Sequence, residues 1–266
     1  NRTLETKNIY IYNRFLFLLQ GEYSSMSSVR RISDVFCQWT SRPVGLVEII
    51  GGSYISIKPE ITYKRLISGL LQRNFAVHSW SYIPNFDHQI QANYAWKQFR
   101  ITSNILEKRV GFSPKAIRLG HSLGCKLHLL APDGGRNCNG LVAISFNNFK
   151  ADKSIPMLRK MSQRLNFQTE FSPSPVETLN LIKEHYEQEN NLLIRFKNDN
   201  LDQNNLLLKS LKERDSDKSE IIQFDGNHLT PVSLGLREKL QKANSKSFLK
   251  YNKIDLIIDK ITNWEI

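Results

Sequence analysis

From Val44 onward the chain alternates short apolar runs with longer stretches whose apolar residues recur at helical spacing. Residues 44–50 are apolar apart from Glu48 and predict a strand running into Gly51-Gly52-Ser53. Across 59–72, Ile61, Leu66, Ile67, Leu70 and Leu71 repeat with the period of a helix, and 75–80 predict the next strand. Asp87 is placed to cap a long helix reaching about Val110, with Ile90, Tyr94, Phe99 and Ile105 among its apolar positions. Residues 115–127 read as a strand, a sharp turn and a helix, and 141–146 as another strand.

The rhythm breaks between Asn147 and Asn190, where two helical patterns, at about 154–165 and 175–185, follow each other without a strand between them. Ser174-Pro175-Val176-Glu177 opens the second with a capping box and a proline at the first helical position. Strands return at 191–196 and 220–224, separated by a polar stretch, and 253–264 places Ile254, Ile257, Ile258, Ile261 and Trp264 on one helical face. Regular strand–helix order predicts an α/β protein with a mostly parallel sheet covered by helices on both faces. The break at about 149–190 reads as a helical cap over the strand ends, where open α/β sheets bind ligands. One domain spanning 44–266 is expected, preceded by an extension over 1–43.

That extension holds an apolar run at 9–19, broken by Asn13 and Arg14, which is shorter than the roughly 20 residues a bilayer span needs. No small-residue cleavage site follows it, so it is a poor secretory signal. We expect the native protein to start at Met26, with residues 1–25 dispensable; a membrane anchor or a targeting remnant are the alternatives.

Composition narrows the class without choosing a function. With 40% hydrophobic and 23% charged residues the chain falls among ordinary globular proteins. Lys and Arg (37) outnumber Asp and Glu (25), for a net charge of +12 and a pI near 9.6. The excess is scattered; its densest stretch, Arg237 to Lys253, lacks the aromatic interleaving of a nucleic-acid reader, so no nucleic acid is expected. Contact with an anionic membrane face remains open. Cys37, Cys125 and Cys138 are odd in number and have no CxxC spacing, which indicates neither a disulfide framework nor a zinc site and points to a reducing compartment.

The candidate chemistry lies in the turn at 115–127. Gly120-His121-Ser122-Leu123-Gly124 has the spacing of a nucleophile elbow, in which glycines two positions either side let the backbone turn sharply at the serine. Spacing alone is weak, since chance supplies it in roughly one chain in ten of this length. A serine hydroxyl needs a base within hydrogen-bond reach and a third group to orient that base, and in elbow-bearing α/β enzymes these follow in the order acid, then histidine, on loops after late strands. Asp199, with Asp202 as the alternative acid, follows the strand at 191–196, and His228 follows the strand at 220–224. His78, His88, His121, His128 and His185 fall within predicted strands, helices or the elbow itself. The tetrahedral intermediate needs two backbone N–H donors: Leu123, after the nucleophile, and either Gly52 or Ser53 in the glycine turn. No metal or cofactor is required.

With these residues in view, the sequence resembles a family of uncharacterised α/β-hydrolase-like proteins from cyanobacteria and plastids, classed as a domain of unknown function. The resemblance covers most of the chain from about Val44. It rests on Ile50-Gly51-Gly52-Ser53-Tyr54-Ile55, Asn85-Phe86-Asp87-His88, residues 120–130, Ser145-Phe146-Asn147-Asn148, residues 171–178, Asn198-Asp199 with Asp202-Gln203, and His228-Leu229-Thr230-Pro231. It implies an α/β-hydrolase fold and a cyanobacterial cytoplasm or plastid stroma, and brings no substrate. Ile50-Gly51 stands where lipases and esterases usually carry His-Gly.

The expectation is a serine hydrolase acting on an ester or thioester with an apolar acyl or isoprenoid group. Its alternative is a non-catalytic relative that binds a hydrophobic ligand or assists a membrane-associated assembly.

Overall fold

The computed structural model describes residues 29–53, 55–151, 170–233 and 245–264, with 245–252 described by backbone alone. The expected start at Met26, the apolar run at 9–19, the helix at 154–165 and the first part of the basic stretch, 237–244, lie outside these residues.

Eight strands form one sheet. They are β1 (Arg30–Ile32), β2 (Val35–Gln38), β3 (Gly45–Ile50), β4 (Phe75–Trp80), β5 (Ala116–His121), β6 (Gly140–Ile144), β7 (Asn191–Phe196) and β8 (Glu220–Phe224). Their order is β1-β2-β4-β3-β5-β6-β7-β8. All pairs from β4 to β8 are parallel; β2 pairs antiparallel with β4, and β1 with β2. The sheet therefore takes in residues ahead of Val44. These two strands are too short, at three and four residues, for alternation to announce them.

The central strands are buried at every position of β3 and β6, as a sheet covered on both faces requires. The helices are α1 (Pro59–Thr62), α2 (Lys64–Gln72), α3 (His88–Val110), α4 (Leu123–Leu129), α5 (Pro175–His185), α6 (Asn204–Leu211) and α7 (Ser245–Thr262). On one face Val47, Ile49, Leu119 and Ile144 meet Leu66, Ile67 and Leu70 of α2 and Ile254, Ile257, Ile258 and Ile261 of α7. On the other, Leu46 and Ile50 meet Ala92, Ala95, Phe99 and Leu106 of α3 and Leu123 and Leu127 of α4.

Three local results depart from the periodicity. The helix expected over 59–72 is two, broken at Tyr63 (φ −107°, ψ 21°), whose fully buried side chain the break turns toward the sheet. Along α3, Ile90, Tyr94 and Ile105 are exposed; of the apolar positions picked out there, Phe99 alone is buried. The buried face is made instead by Ala92, Ala95, Thr102 and Leu106 together with Phe99 and the glutamines at 91 and 98. Finally, α6 lies in a stretch that reads as polar, held by Leu207 and Leu211, one turn apart and fully buried. The caps are as expected: Asp87 Oδ1 accepts from the Ile90 amide at 2.8 Å, and Ser174 and Glu177 form the reciprocal capping box of α5.

Candidate active site

Ser122 sits between β5 and α4 at φ 55°, ψ −120°, a conformation costly for a non-glycine residue. The neighbouring glycines make it feasible. A Cβ at Gly120 would overlap the Cys125 backbone, and one at Gly124 the Ile50 carbonyl. Gly52 approaches from the other side, less closely, where a Cβ would stand 3.2 Å from Cβ of Ser122. The Ser122 amide donates to the Ile144 carbonyl at 3.0 Å, so β6 helps hold the turn.

Asp199 and His228 come together from separate loops. His228 Nδ1 lies 2.9 and 3.1 Å from the two carboxylate oxygens of Asp199, whose side chain is fully buried. The loops are joined by the Asn198 amide donating to the Gly226 carbonyl at 3.0 Å, and Thr230 closes the histidine loop by accepting from the Asn227 amide at 2.8 Å. Burial opposes ionisation of Asp199, but hydrogen bonds, chiefly from His228, with the Leu201 amide adding at 2.9 Å, hold its carboxyl below the usual range. A carboxylate only accepts, so Nδ1 carries a proton, and in the neutral ring the lone pair is on Nε2. Among the described residues Ser122 and His228 make no direct hydrogen bond, yet both line one cavity of about 310 Å³.

Asp202 is placed differently. Its side chain is 2% exposed, with Oδ1 accepting from the Asn204 amide at 3.4 Å and Oδ2 lying 3.6 Å from Arg195 Nε. Burial raises its carboxyl to about 6. The geometry thus sets Asp199, and not Asp202, against the histidine ring.

Gly52 spends its amide on Tyr63, donating to Oη at 2.9 Å. Among the described residues the amides of Ser53 and Leu123 have no hydrogen-bond partner, and both residues line the cavity. Of the two candidates in the glycine turn, Ser53 is therefore the one with a free donor. Tyr63 also meets His121 Nδ1 at 2.8 Å, and His121 Nε2 meets the His228 main-chain oxygen at 2.9 Å. Burial keeps His121 neutral, pushing it down to about 3. The carbonyl can only accept, so Nε2 carries the proton, Nδ1 accepts, and Tyr63 donates to it. A single directed chain thus joins the glycine turn, the serine turn and the histidine loop.

The other histidines are accounted for apart from His88. His78 bonds Trp39 Nε1 at 2.7 Å, His128 bonds the Glu48 carbonyl at 3.1 Å, and His185 is exposed. His88 lines the cavity, as do Lys126 and Asn148; sequence reasoning missed these three, and it missed Tyr63 as the partner of Gly52 and His121. Their positions on helices or a strand end carry no local signal of what they face. Cys125 is fully buried beneath the elbow, consistent with packing. Among the described residues no helix is long and apolar enough to cross a membrane, and no three His, Cys, Asp or Glu side chains group as metal ligands.

Residues 29–254 match the family described as "Protein of unknown function (DUF1350)". No curated protein matches the chain by sequence. Among solved structures, the esterase Est2 of Thermogutta terrifontis is similar at 12% identity, covering 88% of this chain and 92% of that one with a TM-score of 0.55. The Pyrococcus furiosus esterase Pf2001 (14%, 81% and 85%, 0.51) and the Paleococcus ferrophilus monoacylglycerol lipase (13%, 85% and 98%, 0.51) are similar over comparable lengths. At such identities the likeness establishes the α/β-hydrolase fold.

Proposed function

The chain belongs to the DUF1350 family of unknown function, and on that footing we propose that it is a serine hydrolase cleaving an ester or thioester, with Ser122 as nucleophile, His228 as general base and then acid, and Asp199 orienting His228. The observation that carries this reading is the Asp199 carboxylate on His228 Nδ1 in the cavity that also holds a serine at positive φ. His228 Nε2 takes the hydroxyl proton as Ser122 Oγ attacks the carbonyl. The resulting oxyanion is met by the Leu123 and Ser53 amides, a pair of donors whose individual loss costs about 10²–10³ in rate in known cases. His228 returns the proton to the leaving group, the acyl-serine forms, and water repeats the sequence to release the acid. Ile55, Phe86, Phe149, Phe171, Leu201 and Leu229 around the cavity suit an apolar acyl or isoprenoid chain.

The test is labelling by a fluorophosphonate probe. The wild-type protein is expected to react, and Ser122→Ala to abolish the reaction; a folded, unlabelled wild type would overturn the reading. One observation favours a second reading, an apolar-ligand binder that rests on a membrane without turnover. Beside the cavity, Ile83, Ile90 and Phe86 are 72, 62 and 40% exposed. Salt-sensitive binding to anionic liposomes by protein that stays unlabelled would select it.

A further inference from the structure

Two buried polar side chains line the cavity of Ser122 and His228 without serving the chemistry just proposed. Lys126, one turn into the helix that Ser122 caps, is 1% exposed. Its Nζ donates to the Pro173 carbonyl at 2.9 Å, and the Phe171 ring centroid lies 5.9 Å away. An ammonium has three N–H donors, so this bond leaves two. Among the described residues no carboxylate pairs with it. Burial is the larger effect and brings Lys126 down to about 7, while Glu170 and Glu177 favour its charge from a distance. A lysine buried without a counter-charge is an expensive arrangement, and lysine is seldom kept inside unless paired.

His88 lines the same cavity, 2% exposed and stacked on Phe171 with ring centroids 4.3 Å apart. Among the described residues neither of its ring nitrogens has a partner. Burial keeps it neutral, lowering it to about 3, so it holds one idle donor and one idle acceptor. Native interiors satisfy nearly all such groups, and an unsatisfied one calls for an explanation. Were Lys126 only a strut for the Pro173 carbonyl, the idle nitrogens of His88 would remain unexplained.

We infer that Lys126 and His88 form an anion subsite, and that the substrate is an ester or thioester carrying a carboxylate or phosphate within a few bonds of the reacting carbonyl. This deepens the hydrolase reading and rests on it for the reacting group. Lys126 supplies the counter-charge and two donors, and His88 supplies a third. Asn148 adds an acceptor: its amide nitrogen is committed to the Pro175 carbonyl at 2.8 Å, and its Oδ1, without a partner among the described residues, suits a hydroxyl or N–H on the same substrate. The apolar lining accommodates the carbon chain, so the cavity fits an amphipathic ester better than a plain one.

Two measurements on the full chain separate the two proposals. Fluorophosphonate labelling of the wild type reads the hydrolase reading alone. Calorimetric binding to Ser122→Ala protein reads the subsite, using esters in matched pairs. Monoethyl succinate against diethyl succinate places a carboxylate on the acyl side; the butyrate ester of 2-phosphoethanol against that of 2-methoxyethanol places a phosphate on the alcohol side. At least one anionic partner is expected to bind about tenfold tighter than its neutral twin, the scale of one charge-assisted hydrogen bond. In the same background Lys126→Met is expected to erase that preference, Lys126→Arg to keep part of it, and His88→Phe to weaken the anionic partner selectively. Equal binding within both pairs overturns the subsite, as does equal loss for both twins in Lys126→Met, the mark of a strut. A folded, unlabelled wild type that keeps the anionic preference would sink the hydrolase reading and leave the subsite standing.

Discussion

His121 donates from Nε2 to the main-chain oxygen of His228 at 2.9 Å, so the residue before the serine holds the backbone of the histidine that faces Asp199. Its other nitrogen is fixed by Tyr63, which in turn accepts from the Gly52 amide. Tyr63→Phe keeps the ring and removes the link, leaving a buried N–H and a buried ring nitrogen unsatisfied. An unsatisfied buried group costs about 1–3 kcal/mol, and a lower urea midpoint is expected. Labelling of Ser122 should slow by about ten- to a hundredfold, because both the glycine turn and the histidine loop lose their tie. Labelling at the wild-type rate would show that the chain of bonds positions nothing.

The two aspartates are separable by activity. Asp199→Asn keeps the shape but presents the wrong partner to Nδ1, and an equivalent change elsewhere lowers kcat by about 10⁴. Asp202→Asn, whose carboxylate bonds the Asn204 amide and approaches Arg195, is expected to leave turnover of a reactive ester within a few-fold. The reverse ranking would exchange their roles.

Acid stability follows from the buried histidines. Burial pushes His78, His88, His121 and His128 each down to about 3 from an ordinary 6.5. Between those values the unfolded chain binds more protons than the folded one, so stability is present above pH 6.5 and is lost as pH falls toward 3. Asp202, raised to about 6, and Glu48, raised by burial, work in the opposite direction above their ordinary values, but they are two groups against four. Each group contributes at most about 1.4 kcal/mol per pH unit. Urea midpoints are therefore expected to drop steadily from pH 7 to pH 5; a flat profile would refute the neutral assignments.

Gly124→Ala tests the elbow as structure. The added methyl overlaps the Ile50 carbonyl and lies 2.9 Å from the Gly51 oxygen, so β3 and α4 must part. Overpacking of this kind costs about 1–3 kcal/mol, and the shift falls on the turn that holds Ser122. Lower stability together with slower labelling is the expected result; unchanged values for both would remove the need for close approach.

Much of the fold was legible because its determinants are local. The strands at 75–80, 191–196 and 220–224 and the capped helix at 175–185 stand where apolar runs and the Ser174–Glu177 box put them. That Ser122, Asp199 and His228 each come after a strand was legible too. Patterns failed where packing chose between equivalent options: Ala92, Ala95, Thr102 and Leu106 took the buried face of α3 in place of Ile90, Tyr94 and Ile105, and the short β1 and β2 left no period to read.

By itself the sequence determined the α/β class, the glycine-flanked turn at Ser122 and the candidates for its partners, because spacing, caps and hydrophobic period act over a few residues. Tertiary structure alone decided that Asp199 rather than Asp202 meets His228, that Tyr63 takes the Gly52 amide, and that Lys126 and His88 share the cavity with Ser122. These are contacts between side chains far apart along the chain, and only the crossings of the sheet bring them within hydrogen-bond reach.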